Sequence, residues 1–142
     1  MINPIHNKLY SKTNEELQFH PISNWLNSKN WNWYDHQLET LKHINTGSDV
    51  IVFSPTGTGK TLCGFLPSFV DLHKKNYISG LHTLYISPLK ALTYDIHRNI
   101  SLPINDLNLP IRFETRTGDT SNYRKLSQIK TPPHFLMTTP ES

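Results

Sequence analysis

One cysteine in 142 residues, Cys63, excludes an internal disulfide. No Cys and His residues fall at the spacings of a structural zinc site, which fits a reducing compartment. Charge is also scarce. Charged residues make up 18% of the chain, and 14 Lys and Arg against 11 Asp and Glu leave a net charge of +3. That balance permits a polyanionic partner without demanding one. Long apolar runs are missing as well: the longest, from Leu62 to Leu72, is broken by Gly64, Pro67, Ser68 and Asp71. It falls well short of the roughly 20 residues that cross a bilayer. Residues 1–10 alternate polar and apolar types around Pro4 and form no apolar h-region. These absences together predict a cytoplasmic chain with no membrane segment. Aromatic residues, at 11%, suffice to pack a core, and the length suits about one domain.

Residues 1–30 are rich in Asn, Ser and Lys and predict a loose lead-in with one short helix, leaving residues 31–142 as the folded domain. Leu38, Leu41 and Ile44 recur at helical spacing between Tyr34 and Asn45, and Gly47 supplies the stop. Four apolar runs follow, at Val50–Phe53, Leu81–Ser87, Ile111–Thr115 and Phe135–Thr138. Helical segments separate them over Lys60–Asn76, Pro88–Ile100 and Ser121–Lys130, with Pro67 expected to bend the first. Strands alternating with helices indicate an α/β fold with a parallel sheet. Near-continuous apolar strands further predict helices on both faces of it.

The densest chemical signal is Ser54-Pro55-Thr56-Gly57-Thr58-Gly59-Lys60-Thr61, which follows an apolar run and opens a helix. A nucleoside triphosphate is held by backbone N–H groups that a glycine-rich turn aims inward, backed by the positive end of a helix. In such a loop Lys60 sets its ammonium between the β- and γ-phosphates, and Thr61 gives its hydroxyl to Mg²⁺. ATP and Mg²⁺ are therefore the expected cofactors, with Lys60 and Thr61 in catalytic positions and Thr61 as the metal ligand. Cys63 is expected to be a small buried residue of the helix.

With its flanks, this loop resembles motif I of the superfamily 2 helicases, Ser54 standing where that family carries Ala. Upstream, Gln37 preceded by Trp33 and Tyr34 resembles the Q motif, whose glutamine amide reads the adenine edge. Gly47 and Asp49 fall where that family places them. Phe19 is the counterpart of the aromatic that lies against the adenine ring, and His36 is expected nearby. The run Tyr85-Ile86-Ser87-Pro88-Leu89-Lys90-Ala91-Leu92 resembles motif Ia. Thr117-Gly118-Asp119-Thr120 resembles the glycine motif, and Thr138-Thr139-Pro140-Glu141-Ser142 resembles motif Ib. Together with Phe19-His20-Pro21 and Trp25, the set is most similar to the Lhr (large helicase-related) branch.

The resemblance implies a P-loop, RecA-like sheet and an ATP-dependent helicase whose partner is single-stranded or partly duplex nucleic acid, with DNA favoured. Its contacts would be Pro88, Lys90, Ala91, Arg116, Gly118, Asp119, Thr138, Thr139, Pro140 and Glu141. Each motif sits just past a predicted strand, the edge where open α/β sheets bind ligands. Blander roles compete for some of these residues: Arg116 as a solvated charge, the threonines as helix caps, and Trp25, Trp31 and Trp33 as packing anchors rather than base-stacking rings. The family's acidic metal-binding pair and its second domain are not among residues 1–142. The resemblance thus implies that the remainder of a helicase chain is needed for hydrolysis, and that the sheet is incomplete at the carboxyl end and marginally stable alone. Two other readings stay open, a non-catalytic fragment that binds ATP or a strand, and a small P-loop kinase.

Overall fold

In the computed structural model, residues 21–75, 79–88 and 90–142 are described, with the backbone alone for residues 90–94. Phe19 lies outside the described residues. The chain divides after Asp71 into two compact units.

The first unit is helical. Helix α1 (Pro21–Ser28) starts on a proline, tolerated in a first turn because the N–H it lacks has no intrahelical partner there. It buries Ile22, Ser23, Trp25 and Leu26. A short helix is expected in the lead-in, and this one lies there among the described residues. Trp31 packs edge-on against Trp25, with ring centroids 5.7 Å apart. The Trp33 indole N–H donates to Ser23 Oγ at 2.9 Å. These contacts support the packing role for Trp25 and Trp33, while Trp31 remains half exposed.

Helix α2 (Asp35–Asn45) follows, ended by Gly47 at φ +77°, a left-handed conformation that a Cβ would disfavour. Helix α3 (Lys60–Lys74) runs through Pro67 without ending. Its apolar stripe of Cys63, Phe65, Leu66, Phe69 and Val70 is buried, which carries the helix past the lost N–H.

The second unit holds the sheet. Strands β1 (Thr83–Ile86), β2 (Phe113–Arg116) and β3 (Phe135–Thr138) are joined by helix α4 (Lys90–Asp106) and helix α5 (Asn122–Lys130). The order is β1-β3-β2 and every pairing is parallel, with Ile86, Thr138 and Arg116 in register at the carboxyl edge. β3 is central, so its Phe135 and Met137 are fully buried. Along α4 the buried Ile96, Ile100 and Ile104 recur every four residues. At the amino edge His134 accepts the Arg112 N–H on Nδ1 at 2.8 Å. Gln128 of α5 donates to Glu114 Oε2 at 2.9 Å and to the Thr115 carbonyl at 3.1 Å, clamping α5 to β2.

Several expectations need correction. Val50–Phe53 pairs with no strand among the described residues, and Ile51 and Phe53 are 80% and 89% exposed. Its β-favouring residues can extend the backbone, but a ladder needs a neighbour to share hydrogen bonds. Leu84 and Ile86 of β1 are exposed, so among the described residues nothing covers that face of β1. Helix α4 extends past Ile100 to Asp106, and β2 begins two residues later than its apolar run.

Because Phe53 is solvated, Phe53→Ser is expected to change stability by less than about 0.5 kcal/mol in chemical denaturation and to lower binding of an apolar-surface dye. A loss beyond about 2 kcal/mol would place Phe53 in a core.

Candidate functional site

Residues 54–61 of the first unit form the turn that the sequence predicts. Gly57 and Gly59 stand at φ +81° and +71°, a region closed to most side chains, so the turn depends on both. Helix α3 starts at Lys60 immediately after it, placing unpaired N–H groups at the loop. The exposed Lys60 side chain turns back over the loop. Its Nζ donates to the carbonyls of Ser54 at 2.6 Å and Pro55 at 2.5 Å. Thr58 Oγ1 donates to the Pro55 carbonyl at 2.8 Å and lies 2.7 Å from Ser54 Oγ. Thr61, in the first turn of α3, is half-buried, and Thr56 is exposed at the tip.

Gln37 is tied to this loop. It is 2% exposed; its Oε1 accepts the Tyr34 N–H at 3.1 Å, and its Nε2 donates to the Gly59 carbonyl at 3.3 Å. One amide thus caps the start of α2 and braces the loop, leaving one N–H and one lone pair uncommitted in these contacts. The exposed Tyr34 ring stacks on His36, with centroids 5.4 Å apart. A Cβ added at Gly59 would lie 3.6 Å from Tyr34 Cε2, which puts that ring beside the loop. Sequence reasoning named Tyr34 only as a neighbour of Gln37; no local signal shows that α2 brings its amino end to Gly59. Cys63 is buried as expected, with Sγ 3.2 Å from Thr40 Oγ1 and facing no part of the loop in that contact.

The second unit gathers the other motif residues at the carboxyl edge of its sheet. Ser87 N–H donates to the Thr138 carbonyl at 3.0 Å, so the chain leaving β1 stays beside β3. Residues 117–120 make a turn closed from both sides: Thr117 N–H donates to Thr120 Oγ1 at 2.8 Å, and Thr120 N–H to the Thr117 carbonyl at 3.0 Å. Residues 139–142 repeat the device, with Ser142 N–H on the Thr139 carbonyl at 3.1 Å and the two hydroxyls 2.8 Å apart. Gly118, Asp119, Pro140 and Glu141 are exposed at the turn tips, and Pro88 is exposed after β1. Thr138 is half-buried, but Thr139 is 1% exposed, so its hydroxyl serves the turn.

Arg116, in register with Thr138, has a buried Nε that makes no hydrogen bond. The Tyr85 phenol is pushed above its ordinary value by burial and stays protonated as a donor at neutral pH. Lys90 opens α4, with Ala91 next; their side chains lie outside the described ones. The exposed tips carry the carboxylates of Asp119 and Glu141.

Among the described residues no group of three or more His, Cys, Asp or Glu could hold a metal ion. No helix among them is long and apolar enough to cross a membrane.

Comparison with known proteins bears on these arrangements. The sequence pattern of the DEAD/DEAH box helicase family matches residues 34–142. The ATP-dependent helicase Lhr-Core protein 2 of Thermococcus barophilus is 38% identical over 89% of this chain and 16% of its own length. The structure of Mycobacterium smegmatis helicase Lhr bound to ssDNA and AMP-PNP superposes with a TM-score of 0.72 at 32% identity, covering 87% of this chain and 17% of that one. The DUF1998 helicase MrfA bound to DNA and AMPPNP superposes with a TM-score of 0.74 at 27% identity, over 84% and 16% of the two chains. The chain thus spans about a sixth of the length of the Lhr-Core relatives it matches. With RecA-like helicase domains as structural neighbours and the family pattern over most of its length, the chain belongs to the DEAD/DEAH box helicase family, and Lhr helicases are among its relatives.

Proposed function

We propose that this chain is the nucleotide-binding part of an ATP-dependent, Lhr-like helicase, binding ATP with Mg²⁺ on residues 54–61 and the backbone of single-stranded DNA at the carboxyl edge of its sheet. The observation that carries the reading is the Lys60 ammonium, held over a two-glycine turn at the start of a 15-residue helix. Main-chain amides, a helix N-terminus and a cation would converge there, a donor set suited to a triphosphate. Gly57, where an added Cβ would meet nothing within 4 Å, leaves room for an anion at the turn. Lys60 would exchange its two carbonyl partners for phosphate oxygens.

The Thr61 hydroxyl fits as a protein ligand of a Mg²⁺ that arrives with the nucleotide, and Mg²⁺ when bound would supply charge neutralisation between the phosphates. Gln37 holds the loop and offers its remaining donor and acceptor to the adenine edge, with the Tyr34 ring as an apolar neighbour. At the sheet edge, Arg116 and Lys90 supply charge while the turns at 117–120 and 139–142 hold the strand without reading its bases. Relatives bound to ssDNA or DNA support the choice of partner.

The test of the nucleotide site is titration with a fluorescent ATP analogue in Mg²⁺. Binding should saturate and be displaced by ATP and by inorganic triphosphate; failure of triphosphate to compete would remove the phosphate loop from the account. For the sheet edge, single-stranded DNA binding should weaken as salt rises, and Arg116→Ala should shallow the log–log slope by about one unit for all sequences alike. An unchanged slope would return Arg116 to a purely structural role.

A further inference from the structure

We propose that Ser54 is a positioning residue that latches the phosphate loop through its hydroxyl and so limits how fast a triphosphate enters. This rests on the nucleotide-site reading above and concerns only how that site opens. Ser54 takes part in the loop twice. Its carbonyl accepts from Lys60 Nζ at 2.6 Å, and its hydroxyl lies 2.7 Å from Thr58 Oγ1.

A hydroxyl carries one proton. Thr58 directs its proton to the Pro55 carbonyl at 2.8 Å, so in the Ser54–Thr58 pair Ser54 donates and Thr58 accepts. The result is a relay from Ser54 O–H to Thr58 O–H to the Pro55 carbonyl. That same carbonyl also accepts from Lys60 Nζ, at 2.5 Å. Two of the three ammonium hydrogens are thereby committed to the loop's own backbone.

The relay spans residues 54 and 58, the two sides of the turn whose amides face a phosphate. Holding them together keeps the Ser54 and Pro55 carbonyls aimed at Lys60. A triphosphate must recruit this same ammonium, so entry requires the carbonyls to be released, and the hydroxyl bridge opposes that release. Alanine at position 54 removes the donor while keeping the backbone carbonyl, and the bridge is half-buried, so water replaces it at little cost. Threonine at the same position keeps a hydroxyl.

Stopped-flow mixing of the 142-residue chain with a fluorescent ATP analogue and Mg²⁺ tests the latch. Ser54→Ala is expected to speed association about fivefold, the value of one neutral hydrogen bond, and to tighten binding by the same factor. Ser54→Thr should return both toward the parent values, a recovery that a general change in loop packing would not give. Equal or slower association in Ser54→Ala, or Ser54→Thr behaving like Ser54→Ala, overturns the latch. Lys60→Ala separates the two levels: if it binds like the parent, the nucleotide site itself is wrong, whereas if it fails to bind while Ser54→Ala is unchanged, the site stands and the latch alone falls.

Discussion

Lys60→Ala is expected to lower the affinity for MgATP by about 10²- to 10³-fold and to leave the fold intact. A charge-assisted hydrogen bond contributes about 1.5 to 3 kcal/mol. Two of them to phosphate oxygens come to roughly 4 kcal/mol, which is that factor in a binding constant. The side chain is exposed, and the contacts it makes are to the Ser54 and Pro55 carbonyls, which water can serve in its place. The far-ultraviolet spectrum and melting temperature should therefore match the parent. An affinity within threefold of the parent would show that the ammonium does not meet the phosphates.

Gly59→Ala is expected to be the most destabilising single change in the loop, costing about 2 to 4 kcal/mol and lowering the melting temperature by roughly 10 °C. Two separate effects add. A left-handed φ of +71° costs an L-residue with a Cβ about 1 to 2 kcal/mol. The new Cβ would also stand 2.8 Å from Gln37 Nε2, closer than real Cβ atoms come, so the amide must move. Moving it breaks the bond to the Gly59 carbonyl and disturbs the one that caps Tyr34, each a contribution of about 1 kcal/mol. Gly57→Ala is the control. It shares the positive φ, at +81°, but its Cβ would meet nothing within 4 Å, so the backbone cost alone remains. Equal losses in the two variants would show that Gln37 does not brace the loop.

What the sequence made legible divides along physical lines. Features set by neighbours in the chain were readable: the stop of α2 at Gly47, the turn at Gly57 and Gly59, and β3 to the residue. Features set by tertiary packing were not. The helix expected to end at Ile100 continues as α4 through Pro103 to Asp106, with Ile100 and Ile104 buried on either side of that proline. Ile111 opens an apolar run, but its N–H bonds back to the Leu109 carbonyl at 2.7 Å, and that tight turn delays β2 to Phe113. Val50–Phe53 has strand residues but no neighbour among the described residues, and pairing is a property of two segments.

The site follows the same division. Motif spacing nominated Lys60, Thr61 and Gln37, since the turn chemistry is local. The reach of Gln37 to Gly59, 22 residues along the chain, depends on how α2 meets the loop and has no local signature. At the sheet edge, the spacing of the threonines gave no sign that Thr139 would be buried in its own turn while Thr138 stays half open.

The central claim is that main-chain amides of residues 57–61, with the Lys60 ammonium, enclose a triphosphate. Titrating the ¹⁵N-labelled chain with MgATP and following backbone amide resonances measures it directly. The account predicts saturable shifts at Gly57, Thr58, Gly59, Lys60 and Thr61, with Phe135 to Thr138 of the sheet unmoved. Loop amides that hold their positions at high nucleotide concentration would contradict it.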